Sequence, residues 1–345
     1  MQSRILVRLP NWVGDLVMSL PAFEAILGAW REEEIYALTR PGLSCLLPQV
    51  KNLRGFIPYP KEGGLKGLGL ILNTARSLRE MDFSKAILFQ NAFEAAFLCK
   101  LGGIKEIVGY DRDLRWVFLS KGIQVPKAKI HQVNYYLNLV RELGVDAPFM
   151  KPILTLRAIE KEKALLFLGS YGVDTKAGLI GVAPGAKYGL AKMWPISNFE
   201  KIIERIISRL PHYVVILGGA DELPRPVSIR HPRVFDLMGR TDLGMAKALI
   251  ALCNAFLTND SGLMHVAYAL DVPLVAIFGS TDPELTGPLG TRSRIVRSFV
   301  DCSPCFKPTC RKNTYECLNQ IGVDAVWHEL LRLLEEDDEE TGSFH

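Results

Sequence analysis

Two doubly wound α/β units, each built on a parallel sheet, are predicted for this sequence by three observations. The chain has 345 residues, more than the roughly 100–200 of one domain. Short apolar strands alternate with amphipathic helices, the pattern of a parallel sheet with helices on both faces. Midway the alternation stops at a proline-bearing stretch and then restarts.

The elements follow in order. Ile5–Leu9 reads as a first strand, closed by Pro10. After the loop Asn11-Trp12-Val13-Gly14-Asp15, a helical stripe runs through Leu20, Phe23, Ile26 and Leu27. Pro21 suits an early helical position, so this helix is expected to begin near Ser19. Glu34–Leu38 and Lys85–Phe89 are further strands, with amphipathic stretches between them. His131–Leu143 is a helix, striped by Val133, Leu137 and Val140. The stretch Asp146–Leu156 holds the boundary, giving a first domain over 1–155, a second over 156–334 and an acidic tail over 335–345.

In the second half, Leu179–Ala183 is a strand, Pro184-Gly185-Ala186 a turn and Ser197–Leu210 a helix. Ser197 and Glu200 have the spacing of a capping box. Strand Tyr213–Leu217 runs into Gly218-Gly219, and helix Asp242–Leu252, strand Ala255–Thr258, helix Gly262–Leu270 and strand Leu274–Phe278 follow. Val323–Leu334 is the last helix, and Glu335–Glu340 is expected to be solvated and frayed. No internal repeat of 20–50 residues is visible.

Composition removes several classes. At 48% hydrophobic and 23% charged, the chain is neither disordered, collagenous nor a coiled coil. No apolar run approaches the ~18–20 residues that span a bilayer, and the first residues lack the apolar core of a signal peptide. A cytosolic protein is expected. Residues 1–160 hold 21 Lys/Arg against 15 Asp/Glu, a net of +6, and the remainder holds 20 against 22, a net of −2. The basic half fits an acidic acceptor or an anionic membrane surface; ordinary surface charge accounts for it equally. No dense Lys/Arg stripe interleaves with aromatics, so nucleic acid is not an expected partner.

Ligands of open α/β sheets bind beyond the carboxyl ends of strands. Three such loops are rich in small and polar residues: Pro184-Gly185-Ala186, Gly218-Gly219-Ala220-Asp221-Glu222 and Asn259-Asp260-Ser261-Gly262. Free N–H groups at a helix start favour a phosphate, and Ser261 and Gly262 would let a diphosphate approach the backbone. His265 lies one turn after Ser261 on the same face; a satisfied core histidine is the plainer alternative. Asp260 would repel phosphate and is better suited to sugar hydroxyls, although either Asn259 or Asp260 would also serve as a helix N-cap. Lys192, in the loop ending Met193-Trp194-Pro195, can reach over a pyrophosphate and offset the charge of its departure, or simply be solvated. Asp15 stands at the end of the first strand, where a carboxylate can take a proton from an attacking hydroxyl; a helix N-terminal aspartate is the alternative.

Other motifs are less informative. Gly63-Gly64-Leu65-Lys66-Gly67-Leu68-Gly69 lacks the order of a dinucleotide fingerprint. Asp111-Arg112-Asp113 has the spacing of a metal-binding pair but is too short to exceed chance. Cys45, Cys99 and Cys253 read as small buried hydrophobes. Cys302, Cys305, Cys310 and Cys317 form C-x2-C-x4-C-x6-C, which could hold a structural zinc; the spacing is irregular for a zinc finger, and cytosolic disulfides are disfavoured outside hyperthermophiles.

Three blocks together carry a resemblance. Leu9-Pro10-Asn11-Trp12-Val13-Gly14-Asp15 is the first, and Pro184-Gly185-Ala186 with Lys192-Met193-Trp194-Pro195 the second. The third is Thr258-Asn259-Asp260-Ser261-Gly262-Leu263-Met264-His265 with Phe278-Gly279-Ser280-Thr281-Asp282-Pro283. From near residue 5 to about 334 the chain resembles the lipopolysaccharide heptosyltransferases, glycosyltransferases of family 9 and of the GT-B fold. Cys302-Ser303-Pro304-Cys305 is similar to the heptosyltransferase II branch.

The resemblance implies an inverting, metal-independent, cofactor-free transfer of L-glycero-D-manno-heptose from ADP-heptose. The implied acceptor is the first heptose of the lipopolysaccharide inner core, on lipid A–Kdo–heptose, met by a peripheral enzyme at the cytoplasmic face of the inner membrane. On the family pattern Asp15 is the general base and Lys192 contacts the donor phosphates. Asp260 contacts the heptose, and Ser261, Gly262 and His265 surround the diphosphate. Thr241 and Glu222 fall toward the nucleotide, with flanking residues that match less well. Asp15 and Lys192 belong to different domains, so closure of a central cleft is expected to assemble the centre and exclude water. The competing readings are heptosyltransferase I or another member with a different acceptor, an ADP-sugar-binding protein without transfer, and an epimerase or hydrolase of the same architecture.

Overall fold

The computed structural model describes residues 3–60, 64–220, 222 and 227–342, with side chains for all of these except 64, 65 and 337–342. Asp221 and Gly63, each part of a glycine-rich loop noted above, lie outside the described residues. The chain forms two compact units, Met1–Pro152 and Ile153–His345. The division falls inside the proline-bearing stretch, and the Leu154 N–H, bonded to the Ala269 carbonyl at 2.7 Å, ties the next residues to the second unit.

The first unit runs β1 (Arg4–Arg8), α1 (Val13–Ala29), β2 (Glu34–Thr39), β3 (Leu53–Pro58), α2 (Gly64–Met81), β4 (Lys85–Leu88), α3 (Phe93–Leu101), β5 (Glu106–Tyr110), β6 (Lys121–Ile123) and α4 (Gln132–Arg141). Its sheet has the order β3-β2-β1-β4-β5-β6, every pairing parallel.

The second unit begins with α5 (Ala158–Ser170), β7 (Leu179–Ala183), α6 (Ile196–Arg209), β8 (Tyr213–Ile216), β9 (Val234–Asp236) and α7 (Leu243–Ile250). It continues through β10 (Ala255–Asn259), α8 (Gly262–Ala269), β11 (Leu274–Phe278), α9 (Pro283–Thr286), β12 (Ser293–Arg297), α10 (Glu316–Asn319) and α11 (Val323–Gly342). Its order, β12-β11-β10-β7-β8-β9, is also all parallel. Numbered within each unit, the two sheets share one topology. The strand order reverses between β1 and β4 in the first and between β7 and β10 in the second. A ligand crevice of an open α/β sheet opens at such a reversal.

Burial explains which strands the sequence announces. β7, β10 and β11 are buried at every position and covered on both faces, so they read as unbroken apolar runs. The edge strands β3 and β12 are half-exposed and carry a weaker pattern.

Three expectations need correction. Helix α1 starts at Val13, not near Ser19, and runs through Pro21. An internal proline costs on the order of 3 kcal/mol, but Leu16, Val17, Leu20, Phe23 and Ile26 are all essentially buried, and each contributes roughly 1.5–3 kcal/mol. Burial therefore outweighs the break. The expected capping box is absent: Pro195 is the N-cap of α6, and Glu200 instead accepts the N–H and hydroxyl of Ser228 at 2.8 and 2.6 Å. Finally, the stretch expected to fray continues α11 to Gly342. Arg294 of β12 meets this stretch at Glu336, 2.5 Å away, and the body of the helix at Glu329, 3.7 Å away.

Candidate active site

At the reversal point of the second sheet, the carboxyl ends of β7 and β10 are locked by one side chain. Asn259 Nδ2 donates to the Pro184 carbonyl at 2.6 Å, and its Oδ1 accepts the Trp194 N–H at 3.0 Å. Trp194 is buried, donates its indole N–H to Ile321 at 3.0 Å, and packs edge-on against Phe199. Asn259 is therefore the fastener of the two loops and not a helix cap. Ser261 caps α8, its Oγ accepting the Met264 N–H at 3.4 Å and lying 3.1 Å from the Thr258 hydroxyl. The expectation that Asn259 or Asp260 caps this helix is corrected accordingly. The first turn beginning at Gly262 carries the partial positive charge of a helix start.

Asp260 is 3% exposed. Its Oδ2 meets Lys192 Nζ at 2.5 Å and accepts the Thr281 hydroxyl at 2.5 Å. Lys192 closes a single 3-10 turn, Leu190–Lys192, and its ammonium lies 4.9 Å from the centre of the Tyr188 ring. The structure thus brings Lys192, Asp260, Ser261 and Gly262 together. His265, on the second turn of α8, is buried beside the Tyr268 ring at 5.6 Å between centroids.

Glu222 lines a cavity of about 570 Å³ with Gly219, Tyr171, Asp236, Met238 and Arg240, at the ends of β8 and β9. Thr241 is the next residue, half-buried before the Asp242 cap of α7, and is not among the cavity-lining residues.

In the first unit, Asp15 occupies the first turn of α1, at the end of β1 beside the strand-order reversal. Tyr136 of α4 is buried next to it. Burial pushes that phenol well above its ordinary range, and the charge of Asp15 and a hydrogen bond with its side chain push the same way. Two buried arginines tie together loops at the carboxyl ends of the strands of this sheet. Arg8 donates to the Leu9 and Leu38 carbonyls and to Asn11 Oδ1 at 2.8, 3.2 and 2.8 Å. Arg115 donates to the Tyr110 and Gln90 carbonyls and to Asn91 Oδ1 at 2.7, 2.6 and 3.0 Å. Burial lowers both guanidinium groups to about 10, which leaves them protonated at neutral pH.

The cysteine-rich segment supports the lysine loop. Ser303 Oγ donates to Gly279 O at 2.6 Å, the Phe306 N–H to Ser280 O at 2.7 Å, the Ala191 N–H to Pro308 O at 3.0 Å and the Tyr188 hydroxyl to Phe306 O at 2.8 Å. Gly189, at φ +146, admits no Cβ because Pro308 occupies that space. Cys302 and Cys305 are exposed thiols, and Cys310 and Cys317 half-buried ones. Backbone N–H groups, that of Tyr315 foremost, lower Cys310, while burial first and the three neighbouring sulfurs second raise Cys317. Among the described residues no group of three or more His, Cys, Asp or Glu is arranged to hold a metal ion, so the zinc reading of these cysteines gains no support from the geometry. Of the other cysteines, Cys99 and Cys253 are buried, with burial lifting Cys99 to about 12; Cys45, expected to be buried, is only half so.

Sequence reasoning missed Thr281, Tyr136, Arg8 and Arg115. Only Thr281 had a signal, its place in a polar loop directly after strand β11.

Residues 71–316 match glycosyltransferase family 9 (heptosyltransferase). Lipopolysaccharide heptosyltransferase 2 of Salmonella typhimurium is 31% identical, covering 97% of this chain and 99% of that one. Lipooligosaccharide heptosyltransferase 2 of Haemophilus influenzae is 32% identical, over 85% and 88%. The solved structure of E. coli ADP-heptose LPS heptosyltransferase II is similar at a TM-score of 0.82 and 26% identity, covering 98% of this chain and all of that one.

Proposed function

The chain belongs to glycosyltransferase family 9, the heptosyltransferases, and from that premise we propose that it moves L-glycero-D-manno-heptose from ADP-heptose to the first heptose of the lipopolysaccharide inner core. The observation that carries the proposal is the Lys192–Asp260 pair beside the start of α8. A cation and a helix start suit a diphosphate, and a buried carboxylate suits sugar hydroxyls. The full-length similarity to enzymes named heptosyltransferase 2, and to one whose name includes ADP-heptose, supports the donor and the acceptor.

The chemistry proposed is a single displacement with inversion. The acceptor hydroxyl attacks the anomeric carbon as the bond from that carbon to the phosphate oxygen breaks. ADP leaves with the bonding electrons, and Asp15 takes the hydroxyl proton. Lys192 and the first-turn N–H groups of α8 balance the charge growing on the diphosphate, a task a divalent cation would otherwise perform; the reaction is proposed to need none. Glu222 and Thr241 are assigned to the nucleotide side, Glu222 through the cavity it lines, and Ser261, Gly262 and His265 to the diphosphate. The first unit is assigned to the acceptor and the second to the donor.

The lipid-anchored acceptor would bring the work to the cytoplasmic surface of the inner membrane. The net charge of +6 over residues 1–160 fits an anionic surface. No helix among the described residues is long and apolar enough to cross a membrane, so a peripheral association is proposed.

Asp15→Ala tests the assignment. It is expected to lower transfer at least a thousandfold while ADP binds as in the wild type. An equal loss of ADP affinity would make Asp15 a structural residue instead.

A further inference from the structure

We propose that Thr281 is a positioning residue of the donor site, holding Asp260 in place so that Lys192 can exchange that carboxylate for the donor diphosphate. This rests on the assignments of Lys192 and Asp260 just made.

Both the Lys192 ammonium and the Thr281 hydroxyl reach the same oxygen, Oδ2 of Asp260, at 2.5 Å. Oδ1 enters no hydrogen bond among the described residues, which leaves that acceptor for a sugar hydroxyl. Lys192 therefore has two duties that conflict. A diphosphate carries more negative charge than one carboxylate and competes for the ammonium. If Lys192 turned to it with nothing else on Oδ2, a carboxylate that is 3% exposed would lose its only strong partner, and a buried charge without a partner is severely unfavourable. The Thr281 hydroxyl removes the conflict. Its charge-assisted bond persists through the exchange and keeps Oδ1 aimed.

The backbone sets the spacing of the two donors. The Ser280 N–H bonds the Ala191 carbonyl at 3.2 Å, and these are the chain neighbours of Thr281 and Lys192. Ser280 also accepts the Phe306 N–H at 2.7 Å. Gly279 has no room for a Cβ, because Leu318 and the Ala191 carbonyl fill that space. One contact thus registers both partners of Asp260, and the cysteine-rich segment braces it from behind.

The test compares Thr281→Val, which keeps the shape and removes the hydroxyl, with Thr281→Ser, which restores it. The full-length enzyme is assayed with ADP-heptose as donor, ADP binding is measured by calorimetry, and the thermal midpoint is recorded. The valine variant is expected to lose about tenfold in kcat/KM for the donor and about threefold in ADP affinity, because the ADP diphosphate draws the same lysine but offers Oδ1 no sugar, with a midpoint lower by a few degrees; serine recovers most of each loss. A valine variant within about twofold of wild type in kcat/KM overturns the proposal. So does a loss of ADP affinity as large as the loss of kcat/KM, because the aim of Oδ1 at the sugar would then contribute nothing. Asp260→Asn separates the two layers. If it leaves kcat/KM unchanged, the assignment of Asp260 to the sugar fails and this proposal with it. If it impairs turnover while Thr281→Val does not, only the role of Thr281 fails.

Discussion

Asp15 can act as a base only while its carboxylate is ionised and aimed, and Tyr136 bears on both. The phenol is buried against α1 from α4, and its hydrogen bond with the Asp15 side chain fixes one carboxylate oxygen. Tyr136→Phe keeps the ring and its stack on Phe89 but removes that bond. We expect about a tenfold fall in kcat with KM for ADP-heptose little changed, the signature of a contact that serves the transition state. An unchanged kcat would show that Asp15 is oriented by other groups. At this scale the sequence was legible where a polar residue directly follows an apolar strand, as at Asp260 after β10. It was not legible where the partner is remote. Thr281 lies 21 positions from Asp260 and Tyr136 over a hundred from Asp15, and no local pattern links them. Asn259 was misread for a related reason. Its residue type suits a cap, but its two bonds run to loops 75 and 65 positions away.

Elements show the same division between local and remote causes. Buried central strands and well-striped helices follow from periodicity, whereas the half-exposed strands β3 and β12 depend on neighbours that the sequence does not display. The α5–α7 contact is a case in point. Lys247 of α7 is almost fully buried and meets Glu160 of α5 at 3.0 Å, while Arg157 adds a second bond at 3.0 Å. Burial pushes the Glu160 carboxyl up, but the bonds from the Arg157 side chain and backbone and from Lys247 prevail and hold it at about 2, against an ordinary 4.5. The folded state therefore gains stability from this carboxylate above about pH 4.5 and loses it as pH falls toward 2. Glu160→Ala is expected to cost about 3 kcal/mol at neutral pH, since it removes a carboxylate that pairs with both Arg157 and the buried Lys247. Its unfolding free energy should also fall less steeply than the wild type's between pH 4.5 and 2. Chemical denaturation across that range checks both, and parallel pH curves would deny Glu160 the role.

At the scale of the whole molecule, the two units repeat one strand order without visible repetition of sequence. Each presents an aspartate at its own point of reversal, Asp15 after β1 and Asp260 after β10. Topology constrains where chemistry can sit, and the local residues decide which chemistry it is. The second unit is the more legible of the two, because Asp260, Ser261 and Gly262 cluster at one strand end. On the proposed assignment, acceptor choice falls to loops of the first unit, whose sequence carries no comparable signal. The most direct test of the central claim is therefore a transfer assay with ADP-heptose against two defined core acceptors, one carrying no heptose and one carrying a single heptose. A product one heptose heavier is expected from the single-heptose acceptor and none from the heptose-free core. Transfer to the heptose-free core, or release of free heptose with neither acceptor extended, would contradict it.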